Sequence, residues 1–157
     1  MRKQFVDYLF DEMSKNPKIY LLTGDLGFGI LDKIRDKYPS RFKNVGSCEQ
    51  LMLGIAIGLS YEGYIPICYS ITPFVLYRPF EMIRNYVDHE KTPIKLVGTG
   101  RDKDYTNLGI SHWAEDDVKI LSCFDNIVTL KPEILTPELV HEFLYNEKPT
   151  YLNLNRN

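Results

Sequence analysis

The stretch Asn44 to Gly58, NVGSCEQLMLGIAIG, constrains the fold of this chain more than any other. A short apolar run containing Phe42 and Val45 ends in Gly46. Beyond it Leu51, Met52, Leu53, Ile55, Ala56, Ile57 and Leu59 are apolar on nearly every side of a helix, and a helix of that kind is buried. Ser47 and Gln50 have the spacing of a capping box, in which each side chain meets a backbone N–H that the first turn leaves unpaired. This predicts a helix opening at Ser47, with Glu49 in its first turn. Two readings of Glu49 follow. In one, the acid simply answers the helix dipole. In the other, an acid at the mouth of a buried helix is partly desolvated, which disfavours its charge and suits it to share a proton with a ligand. The second gains weight because the preceding strand ends where open α/β sheets bind ligands.

The rest of the chain alternates between the two periodicities. Apolar spacing predicts helices over 2–15, 30–38 and 114–123, a loop and then a helix within 73–88, and a capped helix over 136–146. Short apolar runs at 19–23, 42–45, 65–70, 94–97, 127–130 and 150–154 read as strands. Pro66 implies that its strand is entered late or lies near an edge. The alternation predicts an α/β fold: a three-layer, mostly parallel six-stranded sheet with helices on both faces, forming one domain over 1–157. A net charge of −2 and the lack of any basic run argue against nucleic acid. The polar N-terminus and the lack of a membrane-length apolar run argue against membrane insertion, for a cytoplasmic protein. Cys48, Cys68 and Cys123 are scattered, without metal-ligand spacing, and read as reduced, mostly buried thiols.

Several motifs need weighing. GDLGFG spaces its glycines G-x-x-G-x-G, not G-x-G-x-x-G, and no acid closes a second strand to hold a ribose, so a tight strand-to-helix turn is the better reading. Ser47 lies in GSC without the G-x-S-x-G elbow of a hydrolase, and no histidine follows in a triad pattern. His112, in GISHWAEDD, is a cap, a surface residue or a functional group. Phe74, Tyr77 and Phe80 would ordinarily be packing residues.

Taken in order, TGDLGFG, NVGSCEQLMLGIAIGLSYEGYIPICYS, RPFEMIRN, LGISHWAEDDV and PTYLNLNR resemble the pyrimidine-binding domain of transketolase-like thiamine diphosphate enzymes over nearly the whole chain. The resemblance implies that Glu49 matches the glutamate that hydrogen-bonds the cofactor's aminopyrimidine N1′. That contact favours the tautomer whose nitrogen removes the thiazolium C2 proton, and a desolvated acid suits it. It further implies that Asp25 and Leu26 lie beside the cofactor, Leu26 propping its bent conformation. His112 would face the substrate, and Arg78 would lie near the site. The family's ring-stacking position lands on Val75, flanked by Phe74 and Tyr77; Phe74 is favoured.

The chain departs from the family of sugar-phosphate enzymes in three places. Leu108 stands where an aspartate precedes the histidine by four residues, Gly109-Ile110-Ser111-His112 replaces Gly-Pro-Thr-His, and Gly29 replaces a phosphate-site serine. The Gly-Asp-Gly motif with a downstream Asn, which holds diphosphate through Mg²⁺, has no counterpart, since Gly24-Asp25-Leu26 is not that motif. A C-terminal transketolase domain is likewise not seen. The resemblance therefore implies one subunit of a split enzyme moving a two-carbon ketol unit between sugars or sugar phosphates. It would share thiamine diphosphate and Mg²⁺ with a diphosphate-binding subunit, as a homodimer alone and a heterotetramer with its partner. A 2-oxoacid decarboxylase or synthase subunit, or a non-catalytic homologue, is the alternative.

Overall fold

A computed structural model describes residues 1–156. Among the described residues six strands, β1 (Ile19–Thr23), β2 (Phe42–Asn44), β3 (Ile65–Ile71), β4 (Lys95–Thr99), β5 (Val128–Leu130) and β6 (Thr150–Leu154), form one parallel sheet in the order β2-β1-β3-β4-β6-β5. The helices that cover it are α1 (Arg2–Lys15), α2 (Asp32–Lys37), α3 (Glu49–Tyr61), α4 (Thr72–Tyr77), α5 (Phe80–Met82, running into a π-helical stretch over Ile83–His89), α6 (Asp117–Leu121) and α7 (Pro137–Tyr145). Parallel strands buried on both faces need an apolar side chain in each direction. Ile67 and Tyr69 of β3 accordingly point into a layer with Phe5 and Leu9 of α1 and Phe143 of α7. Cys68, between them, points into the opposite layer with Met52 and Ala56 of α3 and Val75 of α4. The sheet is wholly parallel, as the alternation required.

Several expectations are corrected. The capping box is absent: α3 opens at Glu49, Cys48 is its cap residue without a side-chain bond, and Ser47 is exposed. The turn is made instead by Asn44, whose Oδ1 accepts from Gly46 N at 2.9 Å, and by Gly46 at φ 73°. With Cys48 N donating to Gly46 O at 2.7 Å, the chain cannot wind into helix until Glu49. At the far end Gly63, at φ 75°, closes a Schellman motif with Gly63 N on Ser60 O and Tyr64 N on Leu59 O, both 3.0 Å. Of the two expectations for Pro66 the late entry holds and the edge does not, since β3 is an interior strand. The proline is tolerated because β3 begins pairing with β4 only at Ile67, one residue later, so the missing N–H falls outside that ladder. Residues 73–77 are helix rather than loop, with Pro73 in the first turn of α4, where its missing N–H costs nothing. Ala114 is outside α6 and bridges to Asp102. Of the cysteines only Cys68 is buried.

Lys95 is an unusual core member, 1% exposed at the start of β4. Its Nζ donates to Asn146 Oδ1 at 2.5 Å and to Lys148 O at 2.7 Å, tying down the chain after α7. Burial pulls its amine from 10.5 down to about 8. Between those values the unfolded chain binds a proton that the folded chain has released, so stability rises with pH across that window. The stability difference between the native chain and Lys95→Met is expected to shift in favour of the native chain from pH 8 to 10.5, by on the order of 3 kcal/mol. Urea unfolding of both proteins at several pH values checks this, and a flat difference would remove the buried ammonium as its source.

Candidate active site

The strand order reverses direction at β1, with β2 on one side and β3 on the other, which opens a crevice at their carboxyl ends. Glu49 stands in that crevice. Its side chain is fully buried (0% exposed), placed there by the delayed start of α3. Gly24, at the end of β1, approaches so closely that a Cβ on it would lie 2.8 Å from Glu49 Oε1. Ser70, at the end of β3, donates its hydroxyl to the same Oε1 at 3.0 Å. The second oxygen, Oε2, accepts from Arg78 Nη1 at 2.7 Å. The carboxylate is therefore desolvated as expected, but it is not isolated.

Arg78 follows α4, and its guanidinium also lies over the ring of Phe74, Cζ 3.8 Å from the centroid. Phe74 also meets His112, at 4.9 Å between centroids in an edge-on arrangement. His112 is carried by the loop after β4, and its Nδ1 lies 2.9 Å from Ser111 Oγ. Four of the residues singled out from sequence, Glu49, Arg78, Phe74 and His112, thus form one continuous line from the sheet to the surface. Val75, which the family register picked out, is buried in the core beneath α4.

The other three stand apart from that line. Asp25 is exposed at φ 50°, with its N–H held by Asn44 Oδ1 at 3.0 Å. Leu26 packs against the α1-side core. Tyr77 turns toward α6 and donates to Asp116 Oδ1 at 2.5 Å; burial and that carboxylate push its phenol well above the ordinary range. Ser70, Gly24 and Asn44 were not found from sequence. Asn44 links the two loops that frame Glu49, and only Gly46 two residues on hinted at a turn there. Nothing local marks Ser70.

A buried carboxylate linked through one guanidinium to an aromatic ring marks a place where a flat, nitrogen-bearing ligand can bind. Among the described residues, no group of three or more His, Cys, Asp or Glu is placed to hold a metal ion.

The fold is that of a transketolase-type domain. Residues 1–157 match the family described as transketolase, pyrimidine binding domain, and the chain belongs to that family. A putative transketolase C-terminal section from Methanocaldococcus jannaschii is 30% identical over 99% of this chain and 50% of that protein. An apulose-4-phosphate transketolase subunit from Actinobacillus succinogenes is 31% identical over 61% of this chain and 31% of its own length. A solved structure described as a split gene transketolase, inactive beta4 tetramer, superposes with a TM-score of 0.86 at 30% identity, covering 99% of this chain and 51% of that one. The chain thus spans about half the length, or less, of the proteins it matches.

Proposed function

We propose that this chain is the pyrimidine-binding subunit of a thiamine diphosphate-dependent, transketolase-like enzyme that transfers a two-carbon ketol unit from a ketose donor to an aldehyde acceptor. The observation that carries the reading is Glu49, buried at the crevice with Ser70 on one oxygen and Arg78 on the other, the Arg78 guanidinium lying over Phe74, in a chain of this family. The residues fit the pyrimidine half of the cofactor: a carboxylate for a ring nitrogen, an aromatic face, and Leu26 and Asp25 on the adjoining turn. When bound, the cofactor supplies the carbanion chemistry. Glu49 holds a proton at the ring nitrogen, Phe74 orients the ring, and Ser70 keeps the carboxylate from rotating. His112 and Arg78 meet the sugar or sugar phosphate.

A diphosphate-binding subunit supplies the Mg²⁺ wall in this proposal. The exposed flank of α3 fits such a partner: Leu51 is 51% exposed, and Gly58 has no heavy atom within 4 Å of the position a Cβ would take, so another backbone can come close. Stable interfaces of this kind bury about 1,200 to 2,000 Å² or more. Homodimers of this chain and a heterotetramer with its partner follow from the same surface.

Calorimetry and light scattering test the assignment together. The chain by itself is expected to bind thiamine diphosphate weakly even with Mg²⁺, and to bind it tightly once combined with a diphosphate-binding subunit, with a matching increase in mass. Tight Mg²⁺-dependent binding by this chain alone, or a monomer indifferent to such a partner at micromolar concentration, would defeat it.

A further inference from the structure

The guanidinium of Arg78 makes two contacts at once, and together they describe the ligand that the crevice is shaped for. It donates to Glu49 Oε2 at 2.7 Å, and it lies against Phe74 with Cζ 3.8 Å from the ring centroid. A guanidinium is flat and delocalised, and it stacks on aromatic faces while pointing N–H donors outward in its own plane. An aminopyrimidine ring bound here would do the same: one face on Phe74 and a nitrogen in the plane of the ring on the carboxylate. Ser70 already occupies Oε1 at 3.0 Å. Oε2 is therefore the oxygen left for a ligand, and Arg78 has it.

We infer that Arg78 is an internal placeholder for the cofactor's pyrimidine ring, occupying the seat formed by Glu49 and Phe74 until the ring displaces it. The inference rests on the function proposed above. Three features support displacement rather than permanent pairing. The Arg78 side chain is 42% exposed whereas that of Glu49 is 0% exposed, so one partner reaches solvent and the other does not. Arg78 sits at the C-terminal end of α4, next to the break at Pro79, so its long side chain can swing outward while α4 stays in place. The placeholder also answers an energetic need. A buried carboxylate without a partner is strongly unfavourable, and a charged planar group covers it until the ligand arrives. Displacement then releases the guanidinium for the substrate side of the site, beside His112.

The test uses the whole chain and the ring alone, 4-amino-2-methylpyrimidine, titrated by calorimetry or ligand-observed NMR. Arg78→Ala removes a charge-assisted competitor for Oε2 and is expected to bind the ring at least about tenfold more tightly than the native chain. Arg78→Lys keeps the charge but loses the flat, stacking group, and should fall between the two. Adding Glu49→Gln to Arg78→Ala should erase the gain. Thermal melts accompany each variant, and if Arg78→Ala does not fold, a severalfold gain in Arg78→Lys decides. Equal or weaker ring binding by the Arg78 variants, or no detectable binding by any of them, overturns the placeholder. The function proposed above has its own readout: C2–H exchange of thiamine diphosphate in the assembled enzyme, with Glu49→Gln as the probe. If that exchange still depends on Glu49 while the Arg78 variants show no gain, only the placeholder falls.

Discussion

Glu49→Gln is expected to lower turnover of the assembled enzyme by about 10² to 10⁴-fold, the usual contribution of a positioned acid–base group, while leaving this chain folded. The substitution is close to isosteric. A glutamine can still accept the Ser70 hydroxyl at Oε1, so the packing at the mouth of α3 survives. What it cannot do is offer a negative charge to a ring nitrogen or hold a proton there. The loss should appear in C2–H exchange of the bound cofactor as strongly as in turnover, because Glu49 is assigned to cofactor activation. His112→Ala provides the contrast. His112 meets Phe74 and has no hydrogen bond to Glu49, whose oxygens are held by Ser70 and Arg78, so its removal should depress turnover while sparing the exchange. A loss smaller than tenfold in Glu49→Gln would take Glu49 out of its proposed role. A collapse of exchange in His112→Ala would overturn the division between them.

The largest stability effect is expected at Asp117. Its side chain is buried at the start of α6, and Oδ2 accepts from Tyr151 Oη at 3.0 Å and from Asn153 Nδ2 at 2.9 Å. Oδ1 accepts from Val118 N at 2.7 Å, with Lys131 Nζ 3.4 Å away. Asn153 Nδ2 also reaches Thr72 Oγ1 at 3.3 Å, and Thr72 Oγ1 donates to Gly100 O at 2.9 Å. The network therefore joins β6, α6 and the first residue of α4, the helix that carries Phe74. Burial, with the neighbouring carboxylate second, pushes the Tyr151 phenol well above its ordinary range. Asp117→Ala would take the acceptor from the buried Tyr151 hydroxyl and from Val118 N–H, and would leave Asn153 with fewer partners. Removing one partner from a buried ionic network typically costs about 3 to 5 kcal/mol. For a domain of this size the melting temperature should fall by on the order of 10 °C. Asp117→Asn retains one acceptor oxygen and should lose less than half as much. Denaturant unfolding of the two variants separates these outcomes, and a cost below about 1 kcal/mol for the alanine would show that water or relaxation replaces the carboxylate.

Much of the architecture was legible in the residues. Alternating short β-branched runs and amphipathic stretches can bury their apolar faces in few ways, and the six strands follow from that; α3, apolar on nearly every side in sequence, is buried only on the face of Glu49, Met52, Leu53, Ala56 and Ile57, with Leu51 half exposed. Thr136 illustrates how local such signals are: its side chain accepts from Leu139 N at 3.2 Å, as a cap residue before Pro137 should. The motif order likewise marked Glu49, Phe74, Arg78 and His112, four residues that the structure brings into one line. Where the reading failed, two local signals competed. Ser47 and Gln50 had the spacing of a cap, but Asn44 and Gly46 had already committed the backbone to a turn. Periodicity records which residues face inward, not which hydrogen bond wins at a boundary.

Hydrophobic period and motif spacing act over a few residues, and they sufficed for the fold class, the parallel sheet and the identity of the acid at its crevice. Which groups attend that acid is a matter of tertiary packing. Ser70, Gly24 and Arg78 reach Glu49 across 21, 25 and 29 positions of chain. Nothing in AEDD sets Asp117 apart from Glu115 and Asp116; Tyr151 and Asn153, brought in by β6, close over it. A side chain's burial and its partners are set by strand order and helix packing, which bring together residues that no local pattern connects.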